Sequence, residues 1–418
     1  MRKESYPFSQ IETGRPSVGI IGLGYVGLPT ATILADEGFS VLGVDINQDL
    51  IEMLKKGKFD FQEPKLEELF SKNINFKKLK ISTKASIADA YIICVPTPCT
   101  EEKKAELGFL YSAIENISSL IKENTLIVIE STIPINTTDN CKKKLLELRS
   151  DLDAEKLFFA HCPERVLPGN AIFEIINNDR VIGGLNNQAT LLANSIYGKF
   201  SKGNIFSTSA KVAEMVKLSE NTFRDVNIAL ANQLSLIAEE SNIDINEVIT
   251  LANQHPRVNI HRPSIGVGGH CIPIDPYFIL ENFDNEIGNN LISTARKLNI
   301  QIESVTLNKI TQYIEKNKSN NIKNIYLYGL TYKANVDDFR ESPALRIVAK
   351  LGEQYPGKEF FAVDPFLNEE YESKNLIFKK DLYELNDSIL IILVRHGKIE
   401  EIIKNKENYS NLKLLDLS

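Results

Sequence analysis

Short apolar runs alternate with amphipathic stretches along most of this chain. Residues 18–21, 40–44, 90–95, 126–130 and 157–160 are strand-length apolar blocks. Their continuity fits strands of a parallel sheet buried on both faces better than half-exposed strands. Between the first two, residues 28–37 read as a helix. From 209 to about 242 there is no proline or glycine. Apolar residues recur there at Val212, Met215, Val216, Phe223, Val226, Leu230, Leu234 and Ile237, the spacing of one long amphipathic helix. Beyond it the alternation resumes, with strands expected at 325–330, 359–364, 388–394 and 412–416. The pattern predicts an α/β chain with two doubly wound parallel-sheet domains joined by a long central helix.

Composition narrows the function more than the fold. The 418 residues suffice for two or three cores, and the hydrophobic fraction of 43% is ordinary. A net charge of −7 without a basic block argues against nucleic acid as a partner. No apolar run is long enough for a membrane span. Residues 1–14 are polar and lack the apolar stretch of an export signal, so a cytoplasmic location is expected. The five cysteines (94, 99, 141, 162, 271) form no CxxC pair and read as reduced thiols. The five histidines show no metal-ligand spacing, and no metal is expected.

The first strand runs into Gly22-Leu23-Gly24-Tyr25-Val26-Gly27, and the second ends at Asp45, 18 residues after Gly27. Strand, GxGxxG, helix, strand and acid in this order form a dinucleotide site of Rossmann type. The glycines let a pyrophosphate approach backbone N–H groups at the helix start. Asp45 would accept from ribose hydroxyls and repel a 2′-phosphate, which favours NAD. Thr97 and Thr132 follow strands at their carboxyl ends, where they could touch cofactor or substrate or simply cap turns. Glu164, after a further strand, could act as a base or position water.

A second kind of chemistry is suggested by Gly266-Val267-Gly268-Gly269-His270-Cys271-Ile272-Pro273-Ile274-Asp275-Pro276. The glycines and prolines place the thiol on a tight loop rather than inside a helix. A cysteine so placed could be a nucleophile, with a carboxylate, Asp275, four residues further on. The alternative is a packed cysteine before an ordinary helix, Asp275 as its cap and Pro276 in its first turn. On the long helix, Lys217 and Asn221 are four residues apart and share a face. An ammonium and an amide donor suit a developing oxyanion. The plainer alternative pairs Lys217 with Glu214 or Glu220. Lys333 and Arg340, after a strand of the last third, could bind a diphosphate or be ordinary surface charge.

Taken together, GLGYVGLP (22–29), VPTP (95–98), STIP (131–134), CPERVLPG (162–169), EMVKLSENTFRDVNIA (214–229), GVGGHCIPIDP (266–276) and GLTYKANVDDFRESPA (329–344) closely resemble the UDP-glucose/GDP-mannose dehydrogenase family over nearly the whole chain. GGHC in place of the glucose branch's GGSC, with ANQHPRVNI (252–260), is most similar to the UDP-N-acetyl-D-mannosamine branch. The sister branch acting on UDP-N-acetylglucosamine shares much of this.

The resemblance implies NAD-dependent oxidation of a sugar C6 alcohol to a carboxylate in two hydride transfers, with the aldehyde held on Cys271. It further implies that Lys217 and Asn221 stabilise an oxyanion, Asp275 assists proton transfer, Glu164 serves the thioester stage and Thr132 helps hold water. Glu164, Arg165, Lys217, Asn221, Arg257, His270, Lys333 and Arg340 would contact the UDP-N-acetylhexosamine, Arg257 from a neighbouring subunit. Gly22, Gly24, Tyr25, Val26, Gly27, Asp45, Thr97 and Thr132 would contact NAD. The implied layout is a flexible tail at 1–14, an NAD-binding Rossmann domain at 15–208, a central helical dimerisation region at 209–305 and a UDP-sugar-binding Rossmann-like domain at 306–418. A surface polysaccharide, such as a capsule, would use the product. The rival readings are a two-electron hydroxyacid dehydrogenase without a cysteine and a non-enzymatic nucleotide sensor.

Overall fold

The computed structural model describes residues 17–59, 63, 65–166, 169–281, 290–318 and 321–418. The expected tail at 1–14 lies outside the described residues. Two compact units result: Met1–Ser219 with Tyr277–Phe283, and Glu220–Pro276 with Asp284–Ser418.

The first unit holds eight strands: β1 (Ser17–Ile21), β2 (Ser40–Val44), β3 (Leu79–Ser82), β4 (Ala90–Ile93), β5 (Leu126–Ile129), β6 (Phe158–His161), β7 (Arg180–Gly184) and β8 (Ile205–Ser209). Their order in the sheet is β3-β2-β1-β4-β5-β6-β7-β8. The pairs are parallel except β6 with β7. The continuous apolar blocks arise because both faces are covered. Val18, Ile20, Ile92 and Val128 pack into one core with the helix Gly27–Asp36, and Ile21, Ile93, Ile127 and Ile129 pack into a second on the other face. Each such side chain contributes about 1.5–3 kcal/mol on burial.

The second unit carries β9 (Asn324–Tyr328), β10 (Phe360–Val363), β11 (Tyr371–Ser373), β12 (Leu376–Lys379), β13 (Ser388–Ile392) and β14 (Lys413–Asp416), in the order β11-β12-β10-β9-β13-β14. Only β11 with β12 is antiparallel. The helix Ala210–Glu240 is 31 residues long, matching the uninterrupted 209–242 pattern to within two residues. Val212, Met215, Phe223, Leu230 and Ile237 on it are exposed.

Both sheets open with one device. At the end of β1, Gly22 takes φ +94° and donates its N–H to Val44 O at 2.8 Å. At the end of β9, Gly329 takes φ +86° and donates to Val363 O, also at 2.8 Å. A positive φ of this kind favours glycine, and it ends the strand two residues before the apolar run 325–330 does. The acid after the second strand then receives the next N–H: Leu23 N–H donates to Asp45 Oδ2 at 2.9 Å, and Leu330 N–H to Asp364 Oδ2 at 2.6 Å.

The two acids differ in what else they hold. Asp45 accepts one further bond, from Asn47 N–H at 2.9 Å. Asp364 is fully buried and accepts also from Thr331 N–H (3.1 Å), Phe366 N–H (2.9 Å) and the ring of buried His396 (3.1 Å). His396 Nδ1 accepts from Asn335 N–H at 3.0 Å. The imidazole proton is thereby assigned to Nε2, where it can donate to Asp364. Asp364 is thus spent on the fold, in contrast to Asp45.

Candidate active site

The first unit presents a nucleotide cradle. A Cβ on Gly27 would stand 1.9 Å from Gly22 O, so the helix can start this close to the strand only with glycine there. A Cβ on Gly24 would meet nothing within 4 Å, so the turn is open on that side. The helix Gly27–Asp36 begins after Val26 with no side-chain cap and no acid in its first turn. Leu28 N–H donates to Gly24 O at 3.1 Å, and with no acid in the first turn the helix start carries no negative side chain that would oppose an anion. Tyr25 packs on the apolar core beneath. Asp45 is tethered to the glycine turn through Leu23, so acid and turn are positioned as one piece. These residues fit NAD: the turn for its pyrophosphate, Asp45 for a ribose.

At the carboxyl ends of β4 and β5, Thr97 Oγ1 donates to Thr132 O at 2.6 Å. The two threonines expected at the cofactor are brought together. After β6, the Glu164 carboxylate accepts from Arg165 N–H at 2.7 Å and pairs with Arg180 Nη2 at 3.0 Å. The Arg165 guanidinium donates to Asp179 O. Arg180 had no signal in the sequence: it is the first residue of β7, a strand of five residues (RVIGG).

Lys217 is buried. Glu214 does not pair with it, because Glu214 accepts from Asn136 N–H, Thr138 N–H and Thr138 Oγ1 at 2.6–2.8 Å. The buried ring of His161 donates from Nδ1 to Ile129 O (2.8 Å). Burial pushes the His161 pKa down to about 3, the Ile129 bond opposes this, and the charge of Lys217 adds to it. A permanently neutral imidazole therefore stands near the lysine.

The second unit carries the thiol. Ile274 N–H and Asp275 N–H donate to Cys271 O at 3.0 and 2.9 Å, folding the loop into the start of the helix Asp275–Leu280. Asp275 is buried and accepts from Asn221 Nδ2 at 2.6 Å. The amide expected to face an oxyanion thus spends one N–H on the carboxylate.

Gly269 N–H donates to Arg340 O at 3.2 Å. Gly269 has φ +83°, and a Cβ there would meet the Tyr332 ring at 3.2 Å. The glycines let the cysteine loop lie flat on the segment that bears Lys333 and Arg340. Arg340 makes a bidentate pair with Asp338 at 2.6–3.2 Å and lies within electrostatic reach of Cys271. Burial works to raise the Asp338 carboxyl, but the Arg340 bonds outweigh it and hold it below the usual value. His270 is exposed and lies within electrostatic reach of Asp338. Lys333 is exposed with no ion pair among the described residues. Arg257 is exposed, and its guanidinium lies 3.5 Å from the ring of His255. Neither joins the cluster around Cys271.

A glycine cradle with an acid tethered to it on one sheet, and a looped thiol beside a hydrogen-bonded carboxylate in the other unit, are the features of an NAD-dependent dehydrogenase. Residues 16–201, 211–301 and 326–415 match, in turn, the NAD binding domain, the central domain and the UDP binding domain of the UDP-glucose/GDP-mannose dehydrogenase family. The chain belongs to that family and is a nucleotide-sugar 6-dehydrogenase with NAD as cofactor. It is 46% identical over 396 residues to the UDP-N-acetyl-D-mannosamine dehydrogenase of Methanocaldococcus jannaschii, covering 94% of this chain and 88% of that protein. It is 38% identical to an NDP-N-acetyl-D-galactosaminuronic acid dehydrogenase of Ralstonia solanacearum, covering 94% and 93%. The solved structure of UDP-D-ManNAc dehydrogenase from Pyrococcus horikoshii aligns with a TM-score of 0.85 at 35% identity, covering 96% of this chain and 94% of that one. Among the described residues, no helix is long and apolar enough to cross a membrane.

Proposed function

We propose that the chain oxidises C6 of UDP-N-acetyl-D-mannosamine to the uronate in two two-electron steps through a covalent adduct on Cys271. Bound NAD supplies the acceptor for each hydride, and two are consumed per sugar. In the first step the C6 alcohol loses a hydride and a proton to become the aldehyde. The Cys271 thiol then adds to the aldehyde carbon, and its proton passes to the carbonyl oxygen, giving a thiohemiacetal that still bears one C6 hydrogen. Loss of that hydrogen as hydride, with the hydroxyl proton, leaves a thioester. Water cleaves it, returning the thiol and releasing the carboxylate with a proton.

The roles follow from what each group can do. Lys217, cationic and buried, stabilises the oxyanion, and Asn221 assists while orienting Asp275. Asp275 transfers protons at the C6 oxygen and the thiol, and Glu164 activates the hydrolytic water that Thr132 helps hold. Arg165, Lys333 and Arg340 bind the nucleotide sugar, with His270 reading the acetamido sugar. The observation that carries the reading is the Asn221–Asp275 bond beside the Cys271 loop. A carboxylate held at 2.6 Å by an amide, four residues after a thiol, suits proton transfer better than helix capping. Identity of 46% to a UDP-N-acetyl-D-mannosamine dehydrogenase supports the sugar.

The test is NADH formed per mole of UDP-N-acetyl-D-mannosamine, with UDP-N-acetylglucosamine and UDP-glucose in parallel. Two NADH with the mannosamine sugar preferred is expected. Two with UDP-N-acetylglucosamine would keep the chemistry and move the substrate. One per sugar would remove Cys271 from the mechanism.

The exposed apolar residues of the helix Ala210–Glu240 support a homodimer through that helix, with Arg257 reaching the neighbouring site. Phe223 is 59% exposed and Ile237 52%, more than a lone surface helix tolerates without cost. Phe223→Asp should yield a monomer in sedimentation velocity. The uronate product suits an acidic surface polysaccharide.

A further inference from the structure

In the first unit, polar side chains from six elements meet in an apolar interior. Glu130 follows β5, Cys94 follows β4, Cys162 and Glu164 follow β6, and Arg180 opens β7. Tyr197 ends the helix Asn187–Tyr197, and Thr30 sits in the helix Gly27–Asp36. Glu130 is 3% exposed and Arg180 4%, and the Glu164 side chain is 8% exposed. Glu130 accepts from Tyr197 OH at 2.6 Å, from Cys94 Sγ at 3.1 Å and from Thr30 Oγ1 at 3.5 Å. Arg180 donates to Glu164 at 3.0 Å and to Ile175 O at 2.8 Å, lies 3.8 Å from Cys162 Sγ, and is flanked by the Tyr197 and Phe200 rings at 5.2 and 5.3 Å.

One guanidinium, always charged, serves two buried carboxyl groups. It cannot neutralise both, and the unpaired one must hold a proton or bear the cost of a buried charge. Geometry selects between them: Glu164 is hydrogen-bonded to Arg180, whereas Glu130 is held by a phenol, a thiol and a hydroxyl.

We propose that Arg180 is a positioning residue for hydrolysis of the thioester. Its guanidinium pairs with the Glu164 carboxylate and fixes it, while Glu130 is the buried carboxyl that carries the compensating proton. This rests on Glu164 being the group that activates water. Glu130 behaves as the assignment requires: burial first and the charge of Glu164 second push its pKa up to about 7, against Arg180, Tyr197 and Cys94. Burial likewise raises the Cys94, Cys162 and Tyr197 groups, so none of the three supplies a negative charge that would compete for Arg180.

The test is the pH profile of kcat, together with intact-protein mass spectrometry of the enzyme during turnover. Arg180→Met should move the acid limb of kcat upward by about one to three pH units and let the Cys271 adduct accumulate at neutral pH. Arg180→Gln serves the same purpose should the methionine variant not fold, and Arg180→Lys should return the limb most of the way. Glu130→Gln, a neutral mimic of the protonated acid, should keep kcat within about threefold and leave the limb in place. An unmoved limb in both neutral Arg180 variants would make Arg180 a brace of the fold and overturn the inference, as would loss of turnover in Glu130→Gln. Glu164→Gln separates this from its premise. Wild-type turnover there removes the role of Glu164, whereas adduct accumulation there with unmoved Arg180 profiles removes only the role of Arg180.

Discussion

Asn221 on the long central helix donates to Asp275 Oδ2 at 2.6 Å, across 54 residues of sequence. The bond ties the helix to the residue that ends the cysteine loop, so the carboxylate keeps one orientation as the loop works. Asp275→Asn should lower kcat by a factor on the order of 10²–10⁴, the usual worth of a general acid–base group, with KM little changed. Steady-state NADH formation reads this, and a wild-type kcat would remove Asp275 from proton transfer. Asn221→Ala should lose less, since the carboxylate remains and only its aim is relaxed.

Cys271→Ser should nearly abolish uronate release while leaving NAD affinity unchanged. A serine hydroxyl is a far weaker nucleophile at neutral pH than a thiol. Chromatographic assay of the uronate, alongside NAD titration by calorimetry, separates the two effects. Full turnover in this variant would end the covalent mechanism.

The glycine turn makes a paired prediction. Gly27→Ala puts a methyl 1.9 Å from Gly22 O, so thermal stability and NAD binding should fall together. Gly24→Ala has open space, so the melting temperature should stay within about 2 °C while NAD affinity drops, because the added methyl occupies the face a pyrophosphate approaches. A Gly24→Ala enzyme with native NAD affinity would place the cofactor elsewhere.

Asp45→Ala removes both a ribose acceptor and the tether to Leu23 N–H. NAD should weaken by roughly tenfold or more, at about 1.5–3 kcal/mol for a hydrogen bond to a charged group. UDP-sugar affinity should move little. Equal weakening of both ligands in calorimetry would contradict the cofactor assignment.

Asp364 sets a pH dependence of stability. Burial raises its carboxyl, but bonds from His396, Leu330 and Phe366 outweigh this and hold the group below its ordinary value. A depressed carboxyl stabilises the fold above the unfolded-state pKa, and the contribution is lost as pH falls through the folded one. Acid unfolding of the Asp364→Asn variant should therefore be less steep below about pH 4 than that of the wild type. Identical acid curves would mean that the buried charge is not linked to folding.

The local motifs were legible because their chemistry lies within a few residues. Gly22 to Gly27, Asp45 and the Gly266–Asp275 segment each announce a backbone shape that few other residues can adopt. Boundaries slipped where a backbone turn, not hydropathy, ends a strand: 90–95 stops at Ile93 and 325–330 at Tyr328. Strands β3, β7, β8 and β11 passed unnoticed because their sequences, such as YES or IFSTS, lack a long apolar run, and β12 because its run, Leu376–Phe378, is only three residues. Contacts across the chain were the hardest part. Nothing local tells that Arg180 will meet Glu164, that Tyr332 will lie under Gly269, or that Asn221 will hold Asp275.

Asp45 and Asp364 stand at equivalent turns of two sheets, yet one keeps capacity for a ligand and the other has given it to His396 and three backbone amides. Where a fold occurs twice in one chain, selectivity between two nucleotides can thus arise by blocking as well as by building. A single imidazole, supplied from beyond the fifth strand of the second sheet, occupies in that copy the acid whose counterpart in the first copy, Asp45, is bonded only to backbone amides.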